Sequence, residues 1–462
     1  MHLCNILHIA VKLRTMQTIP LFSHTQPDQI IARQHGADIT AAQFLADVRQ
    51  LATRLPASKH VLNMCADRYH FTVGLAAAVI SNKISLLPPS HTPEMINQLK
   101  RFAPDTFCLN EQALPAITLP LTLYPAAPAP VTEPFVIPQI NSDQCVAVVF
   151  TSGSTGTPQS HTKTWGQLTH SARAEAQQLG LIGDATFTLI GTVPPQHMYG
   201  LESTVLMALH SGNVLDSQQP FYPADICQAI AAAPAPRVLI SSPVHLRALL
   251  DAGLQLAPVA WCVSATAPLS IALAHALETQ FHTQVYEVYG STETGVIATR
   301  QPTHNAVWQL FAGIRLTIDG AHASVASVQI NPAIMLNDII EATSADTFLL
   351  HGRTADLINI AGKRNSLTNL NHQLTSLPGV IDGVFFMPDE IMPDSITRLA
   401  AFVVAPALDA SQLRALLRAY IDPAFLPRPL IFVEQLPRNA TGKLPRTALQ
   451  DLLKSHLSQT AR

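Results

Sequence analysis

The sequence predicts an α/β fold. A large N-terminal domain of packed sheets and helices spans residues 1–354, and a small α+β domain spans 355–462. Three observations carry this. The chain has 462 residues, enough for about two to four domains. From about residue 140 to 300, helical patches alternate with short apolar runs of strand length, the pattern of a mostly parallel sheet with helices on its faces. From about residue 355 the pattern changes. GVFFMP, LAAFVVAP and PLIFVEQLP read as strands and SQLRALLRAYI as an amphipathic helix, a block the size of a small separate domain.

In chain order, MHLCNILHIAVKLRT has its Lys12 and Arg14 after the apolar part, the reverse of a signal peptide. It reads as an N-terminal extension, with Met16 as an alternative start. ITAAQFLADVRQLATRL carries apolar residues at helical spacing, and FTVGLAAAVI reads as a buried helix. Seven prolines fall within Pro115–Pro138; proline fixes φ and deletes an amide donor, so this is an irregular surface connector. QCVAVVF then reads as a strand that runs straight into TSGSTGTP, and RVLISS, VAWCVS and QVYEVY are further strands. The longest run without a charged residue, Ala252–Leu277, could span a bilayer by length. Pro258 and Pro268 split it into a strand (259–264), a turn, and a helix (269–281) with Pro268 at its start, so no membrane span is expected.

Composition excludes several classes. Hydrophobic residues make up 48% and charged residues 13%, the opposite of a disordered chain. A net charge of −3 provides no broad basic face, so nucleic acid is not an expected partner. The six cysteines show no CxxC or metal-ligand spacing and suit a reducing cytoplasm. The nineteen histidines form no HExxH, and no zinc is assigned.

Chemistry concentrates in five motifs. The run Thr151, Ser152, Gly153, Ser154, Thr155, Gly156 places four hydroxyls and two glycines directly after a strand. Glycines permit close backbone approach, so consecutive N–H groups and hydroxyls can wrap phosphate oxygens. It is neither a Walker A loop nor a dinucleotide fingerprint. The other four are VSATAPLS (263–270), VYGSTETG (288–295), HGRTADLINIAGKRN (351–365) and LPRNATGKLPR (436–446). Any one alone is an ordinary turn. In this order, over roughly residues 40–450, they resemble the adenylate-forming superfamily of acyl- and aryl-CoA synthetases, peptide-synthetase adenylation domains and luciferases.

The resemblance implies a large domain with a small mobile lid, and a reaction in which a carboxylate attacks ATP to give an acyl-adenylate and pyrophosphate. Residues 151–156 would hold the outer phosphates. Ala265, Thr266 and Ala267 would line the adenine pocket, with Tyr289 against the ring and Gly290 and Ser291 beside it. Thr292 would contact the α-phosphate, and Glu293 would bind Mg²⁺, a hard cation that takes one or two carboxylates plus phosphates. Asp338, fourteen residues before Gly352, matches the carboxylate that grips both ribose hydroxyls, with Asn337 where glycine is usual, and Arg353 would approach the ribose as well. Lys443 would bridge the attacking carboxylate and the α-phosphate. His197, in PPQHMYGLES, matches a position that gates the acyl pocket. Gly362 and Arg364 match the acceptor's pantetheine channel.

Two departures stand out. Gln159 replaces the lysine that usually follows Pro158, and Lys163 is a candidate substitute. Ala355 stands at the usual hinge acid or lysine, next to Asp356. The acyl-pocket stretch HMYGLESTVLMAL lacks the Asp that binds an amino acid's amine, with Glu202 a displaced carboxylate, so an acid without an amine is expected. PPQHMYGLE and PQSHTKTW resemble acyl-CoA synthetase-like proteins of aryl polyene pathways, which implies a hydroxybenzoate, cinnamate or fatty acid passed to CoA or an acyl carrier protein. Arg414, Arg418, Arg428, Arg438 and Arg446 enrich the small domain and suit an acidic carrier. Two other readings stay open. One is a non-catalytic nucleotide-binding scaffold, and the other is an adenylating enzyme with a non-thiol acceptor.

Overall fold

The computed structural model describes residues 17–114, 117–151, 159–320, 322–353, 357–360, 363–388, 399–439 and 442–460. Phosphate-loop residues 152–156, the hinge at Ala355 and Asp356, and Gly362 lie outside them, as does the N-terminal stretch. The side chains of Arg353 and Arg364 are also outside.

Local signals start the helices. Thr40, Asp67 and Thr92 each accept a backbone N–H at the first turn of the helices Ala41–Ala52, Arg68–Ile80 and Pro93–Phe102. Thr164 and Gln167 form a reciprocal capping box on Trp165–Gln178, and Asp409 and Gln412 do so on Ala410–Tyr420. The helix Arg68–Ile80 is buried almost all round, which explains its continuous apolar sequence.

A six-stranded sheet has the order Gln159–Thr164, Cys145–Thr151, Ile84–Leu87, His60–Asn63, Phe107–Asn110, Leu121–Leu123. Its pairings are parallel except the first, an antiparallel pair in which Gln159 faces Thr151. An eleven-stranded sheet lies beside it. The strands Val214–Asp216, Thr188–Gly191, Arg237–Ser241, Trp261–Ser264 and Gln284–Ser291 run parallel in its centre. The next four, Gly295–Arg300, Trp308–Leu310, Thr347–Arg353 and Asp338–Ala342, are antiparallel. The alternation expected from sequence is therefore present. The C-terminal ends of the central strands lead into His197, Ser242, Ala265 and Ser291, and open α/β sheets bind ligands at that edge.

The uncharged run resolves into the strand Trp261–Ser264 and the helix Ile271–Phe281. Ser270 is the N-cap, so Pro268 lies two residues before the cap instead of at the helix start. No helix among the described residues is long and apolar enough to cross a membrane. Near the C-terminus the strand pair Asp382–Phe386 and Ala400–Val404, joined by Leu430–Phe432, packs with helices around Leu370, Leu374, Phe385, Leu413 and Leu417. That core draws only on residues after 357.

Candidate active site

Thr151 ends the last described strand before the phosphate loop. Its Oγ1 lies 3.1 Å from His161 Nε2, and His161 Nε2 lies 3.6 Å from Glu293 Oε1. The loop's base and the 288–295 signature thus meet through one imidazole that sequence reading did not single out. Gln159, His161 and Lys163 share one face of the strand Gln159–Thr164, along which burial deepens from exposed Gln159 through half-buried His161 to buried Lys163.

Lys163 does not stand in for the lysine missing at 159. Four residues of strand carry it about 13 Å from Gln159. It is buried, its Nζ donates to the Glu293 carbonyl at 2.8 Å, and it supports the signature turn from inside. Burial depresses its pKa below the ordinary lysine value, against the charges of Glu202 and Glu293.

The strands Gln284–Ser291 and Gly295–Arg300 present that turn. Ser291 N donates to Thr294 Oγ1 at 3.1 Å, and Thr294 N donates to Ser291 Oγ at 3.2 Å. A Cβ on Gly290 would run into the Gly295 carbonyl, so a side chain is excluded there. Thr292 and Glu293 project half-buried from the tip. Burial pushes the Glu293 carboxyl up. Hydrogen bonds from Ser291 and the backbone, with the charges of His161 and Lys163, outweigh it and hold the pKa below the ordinary glutamate value. Tyr289, at the strand end, donates to Asp338 Oδ2 at 2.6 Å. Asp338 in turn pairs across the ladder with Arg353. The adenine-side tyrosine and ribose-side carboxylate expected from sequence are therefore neighbours.

The 263–270 loop crosses the same edge. Ala265 is buried, Ala267 half-buried, and Thr266 has φ 79°, a left-handed conformation rare for a β-branched residue. Thr266 Oγ1 is buried without a hydrogen-bond partner. Glu287 fixes the loop's far end: it accepts Leu269 N at 2.8 Å and is clamped by Arg300 at 2.6–2.7 Å. Sequence reading missed Glu287, which lies inside a strand and gives no motif signal.

His197 caps the helical stretch Met198–Ser211, in which Leu201–Leu206 is π-helical, a distortion that often marks functional sites. Gly200 lets this stretch pack on the Pro194 carbonyl, and Tyr199 donates to Val263 O at 3.0 Å. Arg68, fully buried, holds the approach. Its Nη1 donates to Thr204 at 2.8 Å, and its Nη2 to the carbonyls of Gly191 and Val193 at 2.7 and 3.1 Å. An arginine opening an otherwise apolar helix in a charge-poor chain was its available signal.

Lys443 reaches this place from the other end of the chain. Its backbone closes on Asn439, with Asn439 N donating to Lys443 O and Lys443 N to Asn439 Oδ1, both at 2.9 Å. Arg438 anchors the loop, donating to Gly442 O at 2.8 Å while paired with both oxygens of Asp382 at 2.8–2.9 Å. Gly442 sits against Val244 at the start of the helix Pro243–Asp251; a Cβ there would stand 3.1 Å from Val244 Cγ2. Burial lowers the His197 pKa to about 4, with the charges of Lys443 and His91 adding to it. The Lys443 loop thus seats beside Ser242, which lines one small pocket with His197, within electrostatic reach of that imidazole.

Next to Glu293 a cavity of about 340 Å³ opens. Lys163, His170, Ser171, Glu202 and Gln329 line it together with Met198, Gly295, Val296, Phe311 and Ile330. Residues 22–326 match the family model described as AMP-binding enzyme. The chain belongs to the AMP-binding enzyme family. Among its relatives, a 4-coumarate–CoA ligase of Rhodobacter capsulatus is 31% identical over 307 residues, covering 65% of this chain and 75% of the relative. A 3-hydroxybenzoate/4-hydroxybenzoate–CoA ligase of Thauera aromatica is 24% identical, covering 69% and 68%. The fold is that of o-succinylbenzoate CoA synthetase from Bacillus subtilis, solved with its acyl-adenylate (TM-score 0.78, 17% identity, 94% of this chain and 99% of that one). It is equally that of ATP-bound MatB from Rhodopseudomonas palustris (TM-score 0.77, 18% identity, 94% and 98%). This AMP-binding enzyme has the α/β architecture expected from its sequence.

Proposed function

We propose that this AMP-binding enzyme is an acid–thiol ligase. A carboxylate oxygen of an organic acid attacks the α-phosphorus of ATP, the bond to the bridging oxygen breaks, and pyrophosphate leaves. The sulfur of a thiol then attacks the acyl carbon. AMP leaves with the electrons of the acyl–oxygen bond, a proton is released, and a thioester remains. Aryl acids of the hydroxybenzoate or cinnamate class are the favoured substrates, in line with the named relatives.

The observation that carries this reading is the seat of the Lys443 loop: a Cβ on Gly442 would stand 3.1 Å from Val244 Cγ2 and 3.9 Å from Ser242 Oγ, Ser242 lines one small pocket with His197, and the same strand edge holds Tyr289, Asp338 and Glu293. The attacking and leaving groups are both anionic, so a cation must stand where charge accumulates. Lys443 fills that role, beside an imidazole that burial keeps neutral. Tyr289 and Asp338 take the adenosine, with Ala265–Ala267, Gly290, Ser291 and Arg353 around it. Thr292 takes the α-phosphate, and residues 151–156 take the outer phosphates. Among the described residues no group of three or more His, Cys, Asp or Glu could cage a metal. A lone carboxylate facing phosphate oxygens is the donor set Mg²⁺ accepts, so Glu293 is the residue that would hold it and offset phosphate charge.

CoA is the favoured acceptor, with Gly362 and Arg364 along its path and residues 355–462 as the moving lid. Carrier-protein docking has less surface arginine than composition suggests. Arg438 is paired with Asp382, and Arg446 lies 5.2 Å over the Phe386 ring and donates to Met387 O at 2.9 Å. Acid-dependent exchange of labelled pyrophosphate into ATP tests the first step, and thioester formation on adding CoA or a pantetheinylated carrier protein tests the second. No exchange across benzoates, cinnamates and fatty acids would leave a nucleotide-binding scaffold instead.

A further inference from the structure

The cavity beside Glu293 contains a carboxylate that the adenylation chemistry does not use. Glu202 is 1% exposed and lines the cavity, four residues along the helical stretch from Met198. Gly295, at φ 72°, makes room for it; a Cβ there would stand 2.6 Å from Glu202 Oε1. The protein satisfies this carboxylate only in part. Its Oε2 accepts Val296 N at 3.1 Å. Ser171 is its other hydroxyl neighbour, but the single Ser171 proton is shared with the Val296 carbonyl at 3.2 Å. A carboxylate can accept about four hydrogen bonds, so capacity remains toward the cavity.

We infer that Glu202 is a specificity-determining residue that accepts a hydrogen bond from a neutral hydroxyl at the far end of an aromatic acid. This rests on the ligase reading of the same site. An alkyl tail would dehydrate the polar lining without using the accepting capacity Glu202 keeps toward the cavity, a cost that a hydroxyl reduces. An ammonium substituent is disfavoured, because the buried Lys163 already supplies the positive charge felt by Glu202. The apolar wall of Met198, Val296, Phe311 and Ile330 suits the faces of a ring.

The test compares 4-hydroxycinnamate, cinnamate and 4-methoxycinnamate, three acids of near-equal shape, by acid-dependent pyrophosphate exchange in the wild type and in Glu202→Gln. The wild type should prefer the hydroxy acid by tenfold or more in kcat/KM, mostly through KM because the group lies away from the reacting atoms. In Glu202→Gln the preference should shrink to threefold or less, with the methoxy acid gaining. A wild type indifferent to the hydroxyl overturns the inference even if the variant fails to fold. So does an active variant that keeps the full preference. Exchange with none of the three acids overturns the inference, and the absence of exchange with benzoates and fatty acids as well brings down the ligase reading itself.

Discussion

Tyr289 donates its phenolic hydrogen to Asp338 Oδ2 at 2.6 Å, joining residues 49 positions apart. The tyrosine closes the strand Gln284–Ser291, and the aspartate opens Asp338–Ala342 on the antiparallel flank of the same sheet. If this pair frames the adenosine, Tyr289→Phe frees the carboxylate to turn away from a ribose. KM for ATP should rise about threefold to tenfold with kcat nearly unchanged, the signature of lost uniform binding. Asp338→Ala should cost more. Steady-state kinetics against ATP at saturating acid provide the check; an unaltered KM in both variants would remove the pair from the nucleotide site.

Lys163 is a buried cation whose hydrogen bond goes to the carbonyl of Glu293 and whose charge stabilises Glu202. Lys163→Met leaves a buried carboxylate without compensation, a change that typically costs about 3–5 kcal/mol. The double variant Lys163→Met/Glu202→Gln should recover part of that loss. Thermal melting of wild type, both single variants and the double closes the cycle, and strictly additive losses would show that the two groups do not interact.

Glu175 is fully buried, and Ser203 lies 2.8 and 2.9 Å from its two oxygens. Burial pushes its pKa up to about 8, with the Glu202 charge adding and Ser203 opposing. The folded protein therefore binds a proton that the unfolded chain releases near 4.5, and stability falls as pH rises through that window. Glu175→Gln imitates the protonated form. From pH 6 to 8 the wild type should lose about 2 kcal/mol more than the variant. Melting curves at the two pH values measure the difference, and parallel behaviour would place the proton elsewhere.

Thr266 carries the backbone strain of the adenine-side loop. A left-handed conformation costs a non-glycine residue about 1–2 kcal/mol, and its hydroxyl is buried without a partner. Thr266→Gly should raise the melting temperature by a degree or two, after the greater entropy of the unfolded chain is set against the relief. Thr266→Ser, which keeps the strain, should not.

The sheet-and-helix alternation was readable because parallel strands buried on both faces leave continuous apolar runs, as in RVLISS and VAWCVS. The motifs were readable because turns built on glycine and hydroxyls leave local signatures. What escaped was held by partners distant in sequence. Glu287, Arg68 and His161 act through partners 10 to 136 positions away, and of the three only Arg68, opening an apolar helix, left a local sign. Lys163 was visible, but strand geometry sends it to the inner side of the signature turn instead of the loop. In the adenine-side loop the strain falls on the threonine between Ala265 and Ala267.

The most direct measurement is acid-dependent pyrophosphate–ATP exchange in the wild type and in Lys443→Ala, with ATP binding measured in parallel by calorimetry. The account predicts exchange in the wild type, its loss by several orders of magnitude in the variant, and ATP affinity changed by no more than a few fold. Near-normal exchange in Lys443→Ala would contradict it.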